Sequence, residues 1–366
     1  MIELADIFRQ HGSEYRQQYA ERMLPSHLQA MRDIERCRTE ALGGQVYHCP
    51  DCQEIVYRYH SCRNRHCPKC QNGKSEEWLE AQRDLLLPVP YFLLTFTLPD
   101  ELRTLARANQ QVFYNLLFRT SAAATQKLAA DPRFIGGQIG MAGVLHTWGR
   151  NLSYHPHVHY LVPCGGLSPD GQTWLPGNTD FLLPVKALAR IFRAKFRSAL
   201  QKTDFFEKIH ASVWQQDWVV HAQPVGDGHA ALKYLAPYIF RVAISNRRIL
   251  KLENDQVTFR FKDTQTGKTK LCSLSALEFI RRFLHHILPR GFVKVRYYGL
   301  FSPCWRVRLS ILHQQLTSLF PPGHCPPESE HDPFQTAEND YRTVCCPSCG
   351  KVLSPQPLPR RQSRPP

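Results

Sequence analysis

The chain contains 366 residues, 43% of them hydrophobic and 11% aromatic, which predicts a largely globular protein with one large domain and a smaller one. Its 46 Lys and Arg residues outnumber 31 Asp and Glu residues, and the charge of +15 favours a polyanionic partner. No apolar run approaches the roughly 18 residues of a membrane span, and the charged opening residues lack the apolar core of a signal peptide. We therefore expect a cytoplasmic protein without a membrane partner.

The first third of the chain changes character twice. Residues 1 to about 40 carry apolar side chains at helical spacing and predict short amphipathic helices. From Cys37 to Cys70 the sequence is rich in cysteine, histidine and arginine, as is typical of a module held together by metal. The sequence YFLLTFTLP (91–99) then predicts a buried strand, and residues 100–130 predict helix with an apolar stripe.

Strand and helix patterns are mixed in the rest of the chain. GMAGVLHTWG (140–149) and HPHVHYLV (155–162) predict a pair of strands, and residues 187–200 predict an amphipathic helix. Strand, helix and hairpin patterns follow at 212–225, 229–243 and 254–275. The hairpin leads into a helix that Ser275 caps, with Glu278 at its third position.

These patterns lack strict βαβ alternation, so they predict an α+β fold with a largely antiparallel sheet. The changes in composition divide the chain into a helical and zinc-binding domain at 1–85, a main domain at 86–320 and a tail at 321–366. Because the tail is polar and rich in proline, we expect much of it to be flexible.

Thirteen cysteines in a chain without an export signal indicate metal binding rather than disulfides. Cys49 and Cys52 form one CxxC turn, and Cys67 and Cys70 form another after fourteen intervening residues. Each turn presents two thiolates about one edge of a tetrahedron apart, so the four predict one structural zinc site. The unused ligands nearby suffice for a second zinc ion: Cys37, Cys62, His60 and His66, with His48 in addition.

The tail contains a third CxxC turn in the sequence CCPSC, formed by Cys346 and Cys349. It has no clear partner pair, although His324 and Cys325 are available, so its metal binding stays open. A separate set of basic residues predicts contacts with phosphate, against the alternative of solvated surface. These candidates are Arg63, Arg65, Lys69, Arg281 and Arg282.

The sequence YHPHVHYLV places His155, His157 and His159 two residues apart on a predicted strand, and hence on one face. Two imidazoles at this spacing can bind a metal ion, although a polar strand face is the alternative. The HxHxDH signature of metallohydrolases fails, because His159 and Tyr160 stand where Asp and His are required.

The sequence KYLAPYIF places Tyr234 and Tyr238 one helical turn apart, where packing is the simplest explanation. Together with a metal site, the tyrosine pair suggests nucleophilic attack on a phosphodiester. A tyrosine hydroxyl has a pKa near ~10, so it needs an activated substrate, and a divalent ion can polarise a phosphodiester. The phenoxide would attack phosphorus and remain attached as an ester that strand joining can reverse.

Four blocks now carry a resemblance to a known family: SCRNRHCPKCQ, LHTWGRNLSYHPHVHYLVPCGG, KYLAPYIFRVAISNRRI and EFIRRFLHHILPRGFVKVRYYG. In this order, over about residues 30–305, they resemble the rolling-circle insertion-sequence transposases of the two-tyrosine HUH endonuclease class. The resemblance implies a zinc-binding N-terminal domain and a catalytic domain with a central antiparallel sheet flanked by helices.

The resemblance also implies roles for individual residues. His157 and His159 match the HUH ligands of Mg²⁺ or Mn²⁺, and Tyr234 and Tyr238 match the nucleophiles that leave a 5′-phosphotyrosine and a free 3′-hydroxyl. The third metal ligand is open: His146 is the first candidate, and His155 and Asn246 are others. The implied partners are single-stranded DNA at the element ends and target, and the implied location is the bacterial cytoplasm in association with the nucleoid.

A phosphate-binding loop is excluded at TGKT (266–269), because Lys262 stands where its first glycine is required. We therefore expect a host helicase or the replication machinery to separate the strands. Three alternatives remain: a zinc-dependent DNA-binding regulator without catalysis, a related replication or mobilisation nuclease, and a zinc hydrolase of small molecules.

Overall fold

The computed structural model describes residues 2–70, 85–227, 242–263, 266–319 and 344–358. The helices in these ranges are α1 Leu4–Tyr19, α2 Pro25–Arg36, α3 Arg103–Ala108, α4 Gln110–Ala129, α5 Val185–Leu200, α6 Ala276–Leu284 and α7 Arg306–Leu319. The strands are β1 Gly44–His48, β2 Ile55–Tyr59, β3 Tyr91–Thr97, β4 Gly140–Trp148, β5 Tyr154–Pro163, β6 Gly165–Leu167, β7 Trp174–Pro176, β8 Val220–Pro224, β9 Ile249–Glu253, β10 Gln256–Lys262, β11 Thr269–Ser275, β12 Val295–Gly299, β13 Val344–Cys345, β14 Val352–Leu353 and β15 Pro355–Leu358.

The chain folds as two compact units, and each unit is built from separate stretches of sequence. The cysteine unit comprises Met1–Gly73, Val242–Ile287 and Glu330–Pro366. The sheet unit comprises Lys74–Arg241 and Leu288–Ser329. These units differ from the three consecutive segments predicted from composition, because a single contact network joins the first helices to the hairpin region and to the end of the chain.

The cysteine unit shows why the predicted boundaries differ. Helix α1 packs against α2 and also against α6, where the rings of Phe8 and Phe283 meet edge to face at 5.6 Å. The hairpin of β10 and β11 has the predicted place, and Ser275 caps α6 by accepting a hydrogen bond from the N–H of Glu278. Within the predicted flexible tail, β15 pairs with β1 in the three-stranded sheet β15-β1-β2.

The sheet unit contains a five-stranded antiparallel sheet in the order β12-β4-β5-β3-β8. Because side chains alternate along a strand, the apolar runs of β3, β4 and β5 bury both faces of the sheet. The α+β class and the central antiparallel sheet that the sequence predicted are confirmed.

One face of this sheet packs on helices and forms the larger core. Phe96 of β3, Val158 of β5 and Tyr160 of β5 lie on this face and are fully buried against α4 and α5. The ring of Phe96 meets that of Phe192 on α5 edge to face at 5.2 Å. Burial of such side chains removes apolar surface from water and fixes the sheet beneath the helices.

The opposite face is apolar at one end and polar at the other. Leu93, Val144 and Leu161 form a second core with side chains of α7, such as Leu312. Farther along the same strands, this face carries histidines and threonines instead of apolar side chains. The sheet therefore presents a patch of polar residues on a rigid, buried scaffold.

Some elements are shorter than their sequence patterns. Asn109 interrupts the predicted helix 100–130, which forms α3 and α4. The strand predicted within 212–225 is confined to β8, and Trp218 just before it packs into the core. None of the helices in the described part of the chain is long and apolar enough to span a membrane.

Candidate metal centres

Three histidines converge on the polar end of the central sheet. His146 on β4 lies directly opposite His157 on β5, and side chains paired in this way point to the same face. His159 lies two residues farther along β5 and shares that face. One ring nitrogen of each histidine lies within 4.8 Å of the others. The register of β4 against β5 therefore assembles a cluster of three nitrogens.

All three histidine side chains are buried, and burial disfavours the charged imidazolium. Burial lowers the pKa of His159 to about 4, with a smaller contribution from the nearby His155. Burial also holds the pKa of His157 well below its usual value, and the charge of His159 lowers it further. These two rings are neutral at pH 7, so their nitrogen lone pairs are available to a cation.

Hydrogen bonds fix the orientation of two rings in the cluster. Nδ1 of His157 lies 2.7 Å from the carbonyl oxygen of His155, which can only accept, so this nitrogen carries the proton. Nδ1 of His159 lies 2.9 Å from the hydroxyl oxygen of Thr95 on β3. Because Nδ1 of each ring is engaged in this way, Nε2 is left as the ligand atom. Sequence analysis missed Thr95, although a threonine in an otherwise apolar strand is a usable signal.

His155 and Asn246, the other candidates for a third ligand, each form a hydrogen bond with another residue. Nδ1 of His155 accepts a hydrogen bond from the guanidinium of Arg103 at 2.6 Å, and Arg103 also pairs with Asp100 at 2.5 Å. Asn246 belongs to the cysteine unit, where its side-chain oxygen accepts a hydrogen bond from the N–H of Leu4 at 3.1 Å. Of the two histidine candidates, His146 is the one that clusters with His157 and His159.

The two predicted nucleophiles, Tyr234 and Tyr238, lie outside the described residues. The same holds for most of the helix predicted at 229–243.

The cysteine unit contains two clusters of four thiols. One consists of Cys37, Cys62, Cys67 and Cys70, and the other of Cys49, Cys52, Cys346 and Cys349. The two CxxC turns that were expected to share one zinc ion therefore belong to different clusters. His60 and His66, expected as ligands of a second ion, belong to neither cluster.

The β1–β2 hairpin explains this division of the thiols. Cys49 and Cys52 lie in the turn between the strands, whereas Cys62 follows β2 at the open end of the hairpin. Five paired positions separate the two ends, a distance of about 17 Å at ~3.4 Å per residue. Cys67 and Cys70 follow Cys62 and stay at the open end. One tetrahedral site cannot span this length.

Both clusters have the geometry that a four-thiolate zinc site requires. In the first, the sulfur of Cys70 lies 3.5 Å from that of Cys37 and 3.5 Å from that of Cys62. Zinc–sulfur bonds of about 2.3 Å imply a tetrahedral edge of about 3.8 Å. All cysteines in the described ranges are free rather than disulfide-bonded. The thiols therefore fit zinc.

Hydrogen bonds to sulfur favour the thiolate form of some cysteines in each cluster, whereas the pKa of others, such as Cys62 beside Cys37, is raised. The pKa of Cys49 is lowered to about 6, mainly because the backbone N–H of Cys52 donates to its sulfur. The pKa of Cys37 is lowered to about 7, mainly because the thiol of Cys62 donates to its sulfur. Thiolates are the form that binds zinc.

The predicted DNA-binding residues differ in exposure, and three of them form ion pairs with glutamates. Arg63 and Arg65 are exposed in the loop between Cys62 and Cys67. Lys69 pairs with Glu3 at 2.5 Å. Arg281 and Arg282 both pair with Glu278, at 2.5 and 2.7 Å.

Comparison with known proteins gives consistent matches over both units. A family described as "Transposase zinc-binding domain" matches residues 7–98, and one described as "Putative transposase" matches residues 140–308. The "Putative transposase y4qJ" of Sinorhizobium fredii (strain NBRC 101917 / NGR234) is 42% identical over 324 residues, which cover 83% of this chain and 81% of that protein.

A second relative is more distant. The "Transposase for insertion sequence element IS801" of Pseudomonas savastanoi pv. phaseolicola is 30% identical over 297 residues, or 74% of this chain and 71% of that protein. No solved structure matches the chain significantly.

Proposed function

Because this chain belongs to the insertion-sequence transposases that carry a zinc-binding domain, we propose that it cuts and rejoins single-stranded DNA through a metal-assisted tyrosine. The DNA would be the ends of its own element and the target. The observation that supports this proposal is the buried cluster of His146, His157 and His159 on one face of the central sheet. The neutral imidazoles of His157 and His159, with His146 beside them, suit a divalent cation.

The donor set favours Mn²⁺ over Mg²⁺, because imidazole nitrogens suit transition metals whereas Mg²⁺ prefers oxygen ligands. Three protein ligands would leave coordination positions open for the oxygens of a DNA phosphate. An ion bound there would polarise the phosphodiester and stabilise the charge that develops during attack. The carbonyl of His155 and the hydroxyl of Thr95 would hold two of the rings in their binding orientation.

We assign the nucleophile to Tyr234 or Tyr238. The phenolic oxygen forms a bond to phosphorus while the bond from phosphorus to the 3′-oxygen of the preceding nucleotide breaks. The tyrosine proton is lost and the 3′-oxygen gains one, so the products are a 5′-phosphotyrosine and a 3′-hydroxyl. Attack by a 3′-hydroxyl on the phosphotyrosine reverses the step and joins strands. Two tyrosines would permit two successive transfers.

DNA would follow the exposed basic residues by phosphate contact. Arg63 and Arg65 are the first candidates because both are exposed, whereas the side chains of Lys69, Arg281 and Arg282 form ion pairs with glutamates. A helicase or polymerase of the host would supply the single strands.

The test is the formation of a denaturation-resistant adduct between the purified protein and labelled single-stranded DNA from the element ends. We expect an Mn²⁺-dependent adduct that the double variant Tyr234→Phe/Tyr238→Phe loses, while the exposed Tyr57→Phe retains it. His157→Gln should abolish the adduct at limiting Mn²⁺. His155→Gln is the matched control on the same strand, because its carbonyl contact to His157 survives the substitution.

The possible outcomes separate the alternatives. An adduct that survives the double variant would place the nucleophile elsewhere. Binding of DNA without any adduct, on every element end and target tested, would favour a regulator without catalysis. Equal adducts on element ends and on unrelated replication origins would favour a replication or mobilisation nuclease.

A further inference from the structure

Three turns in the cysteine unit share the sequence pattern CPxC, and two of them also share the same backbone hydrogen bonds. CPDCQ (49–53) connects β1 to β2, and CPSCG (346–350) connects β13 to β14. In the first turn, the N–H of Cys49 donates to the carbonyl of Glu54 at 2.9 Å. In the second turn, the N–H of Cys346 donates to the carbonyl of Lys351 at 2.8 Å.

The similarity extends to the residue that closes each turn. The N–H of Gln53 donates to the carbonyl of Cys49 at 3.0 Å, and the N–H of Gly350 donates to the carbonyl of Cys346 at 2.9 Å. Gln53 has φ of 58° and Gly350 has φ of 76°, a left-handed conformation that is unfavourable for glutamine. A strained residue at the matching position indicates that the turn geometry itself is required.

The two turns face each other through their sulfur atoms. Sγ of Cys52 lies 3.3 Å from Sγ of Cys346 and 3.7 Å from Sγ of Cys349. Sγ of Cys49 lies 3.4 Å from Sγ of Cys349. These separations exceed the sulfur–sulfur bond of about 2.05 Å and are close to the ~3.8 Å edge of a zinc tetrahedron.

We propose that Cys49, Cys52, Cys346 and Cys349 bind a structural zinc ion of their own, which fixes the end of the chain to the β1–β2 hairpin. The tail cysteines lie outside both matched family regions, which end at residues 98 and 308. Four thiolates on opposed turns form a closed tetrahedral site with no position for substrate, so the role of the ion is structural. Zinc suits this soft donor set better than Mg²⁺ or Mn²⁺.

Contacts around the thiols also hold these distant parts of the chain together. Lys351 pairs with Asp51 of the other turn at 2.7 Å, and Ser348 donates to Glu54 at 3.3 Å. Strand β15 adds to the edge of β1, with Gly44 opposite Leu358. Cys52 and Cys346 are 294 positions apart, so closing this loop costs chain entropy that a short strand pairing offsets poorly. Zinc binding would supply the missing free energy.

The experiment counts zinc ions per chain in the reduced full-length protein by mass spectrometry of the metal. The two clusters predict two ions for the wild type. Cys346→Ser/Cys349→Ser should retain one ion, Cys49→Ser/Cys52→Ser should also retain one, and the quadruple variant should again retain one. Cys345→Ser is the matched control: this exposed neighbour in β13 is outside the cluster, and its variant should retain two.

Equal zinc content in Cys346→Ser/Cys349→Ser and Cys345→Ser would overturn the proposal. So would further loss of zinc in the quadruple variant beyond either double variant, since one shared ion can be lost only once. If a double variant loses both ions through unfolding, the zinc counts of the single variants Cys346→His and Cys346→Ser are compared instead, because zinc also accepts imidazole. The proposal expects Cys346→His to recover the ion that Cys346→Ser lacks, and equal counts in these two would refute it.

A second readout follows the tail directly. Limited proteolysis should release fragments that include residues 344–358 from Cys346→Ser/Cys349→Ser but not from Cys345→Ser. Equal release from both variants would show that zinc does not hold the tail. Neither readout depends on DNA cleavage, so the result stands apart from the outcome of the adduct experiment.

Discussion

The hydroxyl of Thr95 offers a sensitive test of the histidine cluster, because it touches a proposed ligand without being one. Thr95 lies opposite His159 in the register of β3 against β5, and its Oγ1 is 2.9 Å from Nδ1 of that ring. Thr95→Val removes this hydrogen bond and nearly preserves the shape of the side chain. His159 would then lose a hydrogen bond that orients its ring.

The magnitude follows from the position of Thr95 behind the ligand. Loss of a hydrogen bond to a metal-binding histidine weakens metal affinity by about 10- to 100-fold, or roughly 1.4 to 2.7 kcal/mol. The folded state itself loses one neutral hydrogen bond, worth about 1 kcal/mol, and the added methyl group offsets part of that. We therefore expect Thr95→Val to lose more free energy of Mn²⁺ binding than free energy of unfolding.

The assay is a titration of zinc-loaded protein with Mn²⁺, followed by the paramagnetic resonance signal of free Mn²⁺. Thr95→Ser should keep the affinity of the wild type, since it retains the hydroxyl. Thr97→Val is the matched control: Thr97 lies opposite His157 on the same face, and its side chain makes no hydrogen bond to another described residue. Urea denaturation of each variant provides the stability correction.

An unchanged Mn²⁺ affinity in Thr95→Val would refute the role of this hydrogen bond. If Thr97→Val weakens Mn²⁺ affinity equally, the effect comes from the polarity of the sheet face rather than from the orientation of His159. Absence of Mn²⁺ binding in the wild type would refute the histidine site as a whole.

Two further predictions test the scaffold. Gly143→Ala would place a Cβ atom 2.5 Å from a ring carbon of Tyr160, so we expect a loss of about 1 to 3 kcal/mol in urea denaturation; wild-type stability would contradict the packing of β4 on that ring. Glu278→Gln weakens the bidentate pair with Arg281 and should cost about 1 kcal/mol at pH 7, after allowance for solvent screening. The hydrogen bonds from Arg281 lower the pKa of Glu278 from 4.5 to about 2, so its contribution is complete above about pH 4.5 and is lost as the pH falls towards 2. A wild-type excess in stability that persists undiminished at pH 2 would contradict this account.

Much of the fold could be predicted because its signals are local. Apolar runs and period-two alternation identified β3, β4 and β5, and the capping pair Ser275 and Glu278 identified the start of α6. The membership in the transposase family, expected from four sequence blocks, is confirmed by relatives over most of the chain. The roles of Tyr234 and Tyr238 stay predictions.

The assignment of zinc ligands shows where local signals fail. The spacing of the cysteines predicted that Cys49, Cys52, Cys67 and Cys70 bind one ion. Spacing along the chain, however, cannot show which ends of a hairpin the turns occupy. The structure places the two pairs at opposite ends of β1 and β2, and each turn meets thiols from elsewhere. The CPxC pattern occurs three times, at residues 49, 67 and 346, so the pattern alone could not show which turn is the partner of Cys49 and Cys52.

The sequence by itself determined the residue types and short periods: two histidines on one strand face, two-thiol turns, and helices with one apolar side. Only the tertiary structure decided the partners, because these depend on strand register and on contacts between residues far apart in the chain. His146 joins His157 because β4 and β5 pair in one register, and a shift of one residue would turn it to the other face. Cys346 joins Cys52 across 294 positions because the end of the chain pairs with β1, a contact that no local pattern encodes.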